Sequence, residues 1–155
     1  MPPQGSPRAQ VCASLDFAAS PPVLWATFAD VTKWPRWCQV VESAQWTAGA
    51  EWTLGAQLEL AMDLPFPVRH WSGTAVITEI QPAASVAWET GYPLEVIVIR
   101  SCQFKPSELG ALLTLREAYY GNAVWLYRLG RFPGRMRKVF EAALQSLKVY
   151  LEVGA

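Results

Sequence analysis

Hydrophobic and polar residues fall into two rhythms along the chain. Val11, Ala13, Leu15 and Phe17 share one face at period two and predict a first strand over Val11–Phe17. Ser20 then offers an N-cap, and Pro21 takes the first helical position, where its missing N–H costs nothing. Leu24, Phe28 and Val31 follow helical spacing. Pro35 stops this helix or divides it from a second short turn around Trp34–Cys38. From Val41 to Tyr119 period two returns. Leu58, Leu60 and Met62 alternate with Gln57, Glu59 and Ala61; Val86, Trp88 and Thr90 alternate with Ser85, Ala87 and Glu89. Leu113, Leu115, Glu117 and Tyr119 share one face of a late strand, and glycines and prolines separate the runs.

The C-terminal part returns to helical spacing. Met136, Val139, Phe140, Ala143, Leu144, Leu147 and Leu151 form an apolar stripe, with Lys138, Glu141, Gln145, Lys148 and Glu152 on the other face. Residues 121–131 suit an earlier helical piece, which Gly130, Pro133 and Gly134 would kink or break. Together these elements predict an α+β fold. A curved antiparallel sheet of six to seven strands wraps a long C-terminal helix, with two short helices after the first strand. Neither repeat nor internal linker is visible. Residues 1–10 read as a Pro-rich lead-in and 11–152 as one domain.

Composition narrows the function classes. Of the 155 residues, 52% are hydrophobic and only 17% charged, and eight are tryptophan. That is too apolar for a disordered chain. The longest strongly apolar strand-like run, Val96 to Ile99, lies between Glu95 and Arg100, far short of the ~20 residues a membrane span needs. Thirteen basic and thirteen acidic side chains cancel, so no basic field invites nucleic acid. Arg116, Arg128, Arg131, Arg135, Arg137 and Lys138 make the C-terminal part locally basic, as a solvated face or an anion-binding patch. Cys12, Cys38 and Cys102 are odd in number and scattered, which argues for buried free thiols in a reducing compartment. The first residues lack the apolar region of a secretory signal, and a cytoplasmic location is expected.

Several segments resemble one known family. They are Ser20-Pro21-Pro22-Val23-Leu24-Trp25 followed by Asp30 and Trp34-Pro35-Arg36-Trp37, then Val76-Ile77-Thr78-Glu79-Ile80-Gln81-Pro82 running to Val86-Ala87-Trp88, and Gly110 with Leu113-Thr114-Leu115-Arg116-Glu117. In this order, and with the long terminal helix, residues 11–152 resemble the START/SRPBCC superfamily, the helix-grip fold of the birch-pollen allergen. Within it they are similar to small bacterial proteins of the polyketide cyclase/dehydrase and lipid transport type. The late strand departs from the family pattern at Ala111, where threonine is usual. The resemblance implies a deep apolar cavity between the sheet and the terminal helix. It implies little about chemistry, because this fold hosts carriers, cyclases, hydrolases and chaperone-like modules.

The chain has no phosphate-binding glycine loop and no G-x-S-x-G nucleophile elbow. His70 is the one histidine, so neither a zinc site nor the iron-binding set of the family's oxygenases can be assembled, and no metal or cofactor is expected. Alternation puts Arg100 on a face with Val96, Val98, Cys102 and Phe104, and Glu117 with Leu113, Leu115 and Tyr119. If those faces are interior, the two charges need each other or a ligand; otherwise they lie on the solvated side of the sheet. His70 shares parity with Ser72, Thr74, Val76 and Ile80, a row suited either to lining a pocket or to a structural role. Tyr119, Tyr120 and Tyr127 could donate hydroxyls, while Tyr150 reads as packing. Trp25, Trp34, Trp37 and Trp88 read as core or as ligand stackers.

Two functions follow. In the first, the protein binds a hydrophobic or amphipathic small molecule, with Trp88, Met62, Met136, Phe140 and Leu144 forming the cavity wall and Arg100, His70, Glu117 and Tyr119 orienting the ligand. In the second, it is a cyclase or dehydratase with His70 or Glu117 as acid/base and Arg100 polarising a carbonyl. A chaperone-cofactor-like module that binds protein is a third reading. The expected partner is a hydrophobic small molecule, without nucleic acid or stable membrane insertion, on a monomer or a homodimer.

Overall fold

The computed structural model describes residue 3 and residues 5–153; of the expected lead-in, residues 1, 2 and 4 lie outside the described residues. The elements run β1 (Ala9–Phe17), α1 (Pro21–Ala29), a 3-10 turn (Val31–Arg36), β2 (Val41–Ala48), β3 (Gln57–Asp63), β4 (His70–Gln81) and β5 (Ser85–Tyr92). A 3-10 turn (Pro93–Glu95), β6 (Val96–Pro106), β7 (Ala111–Tyr120), α2 (Val124–Leu129) and α3 (Phe132–Val153) complete the chain. All seven strands form one curved antiparallel sheet in the order β1-β7-β6-β5-β4-β3-β2. Strands β2 to β7 are a meander, and β1 closes against the last of them. No described helix is long and apolar enough to cross a membrane.

The long helix lies against the inner side of the sheet. Phe132, Met136, Phe140, Ala143, Leu144 and Leu147 form its buried stripe at helical spacing. It begins further upstream than the periodic stripe suggests. The break before it falls at Gly130 and at Arg131, whose φ is +59°, while Pro133 and Gly134 lie within its first turn. A proline there breaks no hydrogen bond, because first-turn N–H groups have no helical partner. Ser20 occupies the N-cap of α1, but its hydroxyl makes no capping bond.

Register decides which faces meet. Trp88, Arg100, Glu117 and Val11 are direct neighbours across β5, β6, β7 and β1, and all point inward. In β4 the inner row is Trp71, Gly73, Ala75 and Ile77, paired with Met62, Leu60, Leu58 and Trp88. A bulge between Ile77 and Glu79 then switches parity, so that Ile80 opposes Val86. The row of His70, Ser72, Thr74 and Val76 consequently faces outward, and the expectation that His70 lines a pocket is corrected. The expectation of buried thiols needs a similar correction at one position. Cys38 and Cys102 are buried, but Cys12 is exposed, because it sits between inward-facing Val11 and Ala13.

Much of the interior is aromatic. Phe28 meets Trp25, Trp34, Trp37, Trp52 and Phe104 with ring centroids 5.3 to 6.1 Å apart. Trp34 stacks on Trp88 at 5.6 Å. Each such pair contributes about 0.5–1.5 kcal/mol beyond its buried area. Trp52 reaches this cluster from the β2–β3 loop with φ +53°, and its indole donates to the Ala29 carbonyl at 2.8 Å. A second group, Tyr92, Tyr119 and Tyr127 around Phe132, packs where α2 meets α3. At the β6–β7 turn, a Cβ on Gly110 would stand 2.6 Å from the carbonyl oxygens of both Phe17 and Ala19, so only glycine lets the chain pass.

Candidate functional site

Among the described residues Glu117 is the fully buried charge, and half-buried Arg100 lies against it. Both side chains enter the space between the sheet and α3, that of Arg100 16% exposed and that of Glu117 1%. Arg100 Nε donates to Glu117 Oε2 at 2.8 Å, and Nη2 donates to the same oxygen. The Tyr119 hydroxyl donates to Oε1. Both carboxylate oxygens are therefore occupied, one by a cation and one by a neutral donor. Arg100 also lies over the Phe140 ring, 4.7 Å from its centroid, so α3 supplies a cation–π contact from the far side.

The electrostatics of the cluster follow from burial. Burial opposes the charge on Arg100, but the Glu117 carboxylate, with Tyr92 behind it, outweighs that and holds the guanidinium protonated beyond its ordinary range. Burial and then the Glu117 charge push the hydroxyls of Tyr119 and Tyr92 well above the usual phenol range, so both stay neutral donors. Burial raises Cys38 and pushes Cys102 up to about 12. Neither thiol is a thiolate nucleophile near neutral pH.

A narrow cavity of about 30 Å³ adjoins Arg100. Trp34, Trp37, Trp88, Cys102 and Leu115 line it from the sheet side and its 3-10 turn, and Val139, Phe140 and Ala143 line it from α3. Val40, Val139 and Arg100 are the half-buried members of this wall, and the rest are buried. A smaller void of about 10 Å³ touches Met62, Thr90, Tyr92, Arg100 and Glu117. These volumes hold about one water each, whereas ligand sites commonly enclose several hundred Å³. The deep cavity implied by the resemblance is thus largely filled, because the aromatic rings of α1, the 3-10 turn and β5 occupy it. One buried polar atom on its wall, the Trp37 indole N–H, has no hydrogen-bond partner.

The residues singled out by sequence distribute unevenly. Arg100, Trp88 and Phe140 line the larger cavity, Met62 and Glu117 the smaller, and Tyr119 acts through Glu117. Met136 and Leu144 are buried on α3 but line neither. His70 is 76% exposed, with Nδ1 3.4 Å from Asp63 and 3.9 Å from Glu42, away from the cluster. Tyr127 donates to the Pro93 carbonyl instead of facing the cavity. Sequence reasoning missed Thr90 and Tyr92, although the Val86–Trp88–Thr90 alternation extends to them. It also missed Cys38, Val40 and Val41, whose short irregular segment carries no period. Among the described residues no three histidine, cysteine or acidic side chains gather as a metal site.

A sheet closed on a long terminal helix has many solved counterparts. A protein from Rhodobacter sphaeroides superposes with a TM-score of 0.72 at 20% identity, over 98% of this chain and 97% of that one. MLL2253 from Mesorhizobium loti gives 0.70 at 12% identity over 95% and 99%. DR_A0006 from Deinococcus radiodurans gives 0.67 at 16% identity over 95% and 100%. At these identities the likeness is one of fold alone. No functionally curated protein matches the sequence. Residues 8–152, nearly all of the elements just described, match a single family signature. The chain belongs to the polyketide cyclase / dehydrase and lipid transport family.

Proposed function

We propose that the protein binds a hydrophobic or amphipathic small molecule, lipid- or polyketide-like, between the sheet and α3. Its apolar body would lie against Trp34, Trp37, Trp88 and Phe140, and its polar end would turn toward Arg100. One observation carries this reading: the cleft is walled by aromatic and aliphatic side chains and has a single charged group in its wall, held in place by Glu117. Apolar burial would supply affinity and the fixed cation orientation. A ligand oxygen at the unpartnered Trp37 N–H would remove the cost of that orphaned donor.

Because the free volume is small, binding requires the wall to give way. The half-buried Val40 and Val139 mark the edge where α3 and the segment before β2 separate. The convergence of Arg100, Glu117 and Tyr119 also suits a cyclase or dehydratase, with Glu117 as the acid/base. In that case the substrate must displace Tyr119 or Arg100 from the carboxylate before a proton can move.

Native mass spectrometry of the protein purified from its own cells tests the binding reading. A dissociable small-molecule adduct is expected on the wild type and is lost in Val139→Trp, which fills the edge of the cleft. Bare mass for the wild type, together with co-purified protein, would overturn it in favour of a protein-binding module.

A further inference from the structure

Three separate segments bring apolar side chains out to solvent at one end of the molecule. Phe66 comes from the β3–β4 loop, Leu94 from the β5–β6 turn, and Trp125, Leu126 and Leu129 from α2. Their exposures are 55%, 61%, 62%, 37% and 74%. Phe66, Leu94, Leu126 and Leu129 meet around a groove of about 400 Å³ whose wall is almost wholly apolar. Isolated exposed leucines are ordinary, but a convergent cluster from three segments marks an interaction surface.

Charge identifies the occupant. The β3–β4 loop, the β5–β6 turn and α2 with the following first turn of α3, residues 64–69, 93–95 and 124–135, carry Arg69, Arg128, Arg131 and Arg135, all exposed, against Glu95, with exposed Asp63 at the loop's edge. Among the described residues none of these arginines is in an ion pair. An otherwise neutral protein thus concentrates unpaired cations beside its exposed apolar cluster. A surface that is apolar within and anionic at its rim complements both features, and a bilayer containing acidic lipid is such a surface. A tryptophan among the exposed side chains suits the interfacial depth. Short loops and a six-residue helix suit shallow, reversible contact and cannot span.

We propose that this end of the molecule docks on anionic membrane surfaces, with Phe66, Leu94, Trp125 and Leu129 entering the interface and Arg69, Arg128 and Arg131 pairing with lipid phosphates. The docking stands independently of what the interior binds. The two lie close together, because Asp63, just before the Phe66 loop, donates its N–H to the carbonyl of Val40 on the cleft wall at 2.8 Å.

Vesicle co-sedimentation tests the proposal on the full chain. The wild type is expected to bind vesicles of phosphatidylcholine with phosphatidylglycerol and to bind phosphatidylcholine alone roughly tenfold or more weakly, with binding falling as salt rises. Arg128→Glu/Arg131→Glu should cost roughly tenfold or more on the mixed vesicles, and Trp125→Ala/Leu129→Ala should abolish sedimentation. All four side chains are exposed, so unchanged circular dichroism and melting would show both variants folded. Failure of the wild type to bind mixed vesicles, or binding that folded variants retain in full, would overturn the proposal. Dimerisation through this patch without vesicle binding would overturn it in favour of a second copy as the occupant.

Discussion

Glu117 organises the polar part of the interior. It neutralises Arg100, accepts from Tyr119 and reaches the smaller void. Removing one member of a buried pair leaves the other unpaired, which costs about 3–5 kcal/mol. Glu117→Leu should therefore lower the unfolding free energy by about that amount in urea titrations. Arg100→Met/Glu117→Leu should recover most of it, because a well-packed apolar pair replaces the charges. If the double variant is as unstable as the single one, the pair is not a simple charge compensation. Titration gives a second residue-scale outcome. Cys38, Cys102, Tyr92, Tyr119 and Tyr127 all have folded pKa values raised above the ordinary 9.0 or 10.0, chiefly by burial. The native state therefore keeps protons that the unfolded chain releases. Their stabilisation is complete below about pH 9 and is lost as pH rises toward the folded values, about 12 for Cys102 and Tyr127. Urea midpoints should hold level up to pH 9 and fall beyond it; a rise there would contradict these burial assignments.

At the scale of elements, most strands and the long helix were legible because their inward rows follow one period, with β2 and β4 interrupted by register shifts. Alternation told which residues share a row with Arg100 and with Glu117, but not which way those rows face; their inward direction and their pairing required the register between β6 and β7. His70 was misread for a local reason: one bulge in β4 ended the parity that joined it to Ile80. Trp52 gave no periodic signal, since it enters the core from a loop in a left-handed conformation. The Leu94–Glu95 turn is a further irregularity. Both residues have positive φ, 67° and 60°, where hairpins ordinarily place Asn-Gly. Glu95→Gly should stabilise by up to about 1 kcal/mol in the same titrations, and no gain would indicate that the Glu95 side chain contributes elsewhere. Gly110→Ala should do the opposite, costing about 1–3 kcal/mol, because its Cβ meets two carbonyl oxygens at 2.6 Å.

At the scale of the whole molecule, the apolar surplus goes to two places. Most of the tryptophans and phenylalanines fill the space between the sheet and α3, leaving about 30 Å³ beside Arg100. A smaller share lies exposed at the end formed by Phe66, Leu94 and α2, apart from single exposed residues such as Val23, Leu54 and Leu109 elsewhere. Neither destination was readable from composition. Alternation tells which face a ring occupies, not how completely neighbouring rings fill the space. Under the proposed binding, the grip is a closed form that a ligand opens along the edge between Val40 and Val139. Tryptophan quenching by a nitroxide-labelled long-chain fatty acid, measured in a Trp125→Phe background to silence the exposed ring, tests that claim most directly. Saturable, one-to-one quenching of the buried tryptophans, suppressed by Val139→Phe, which fills the edge without adding an indole, is the expected result; quenching that is absent, or that survives filling of this edge, would contradict it.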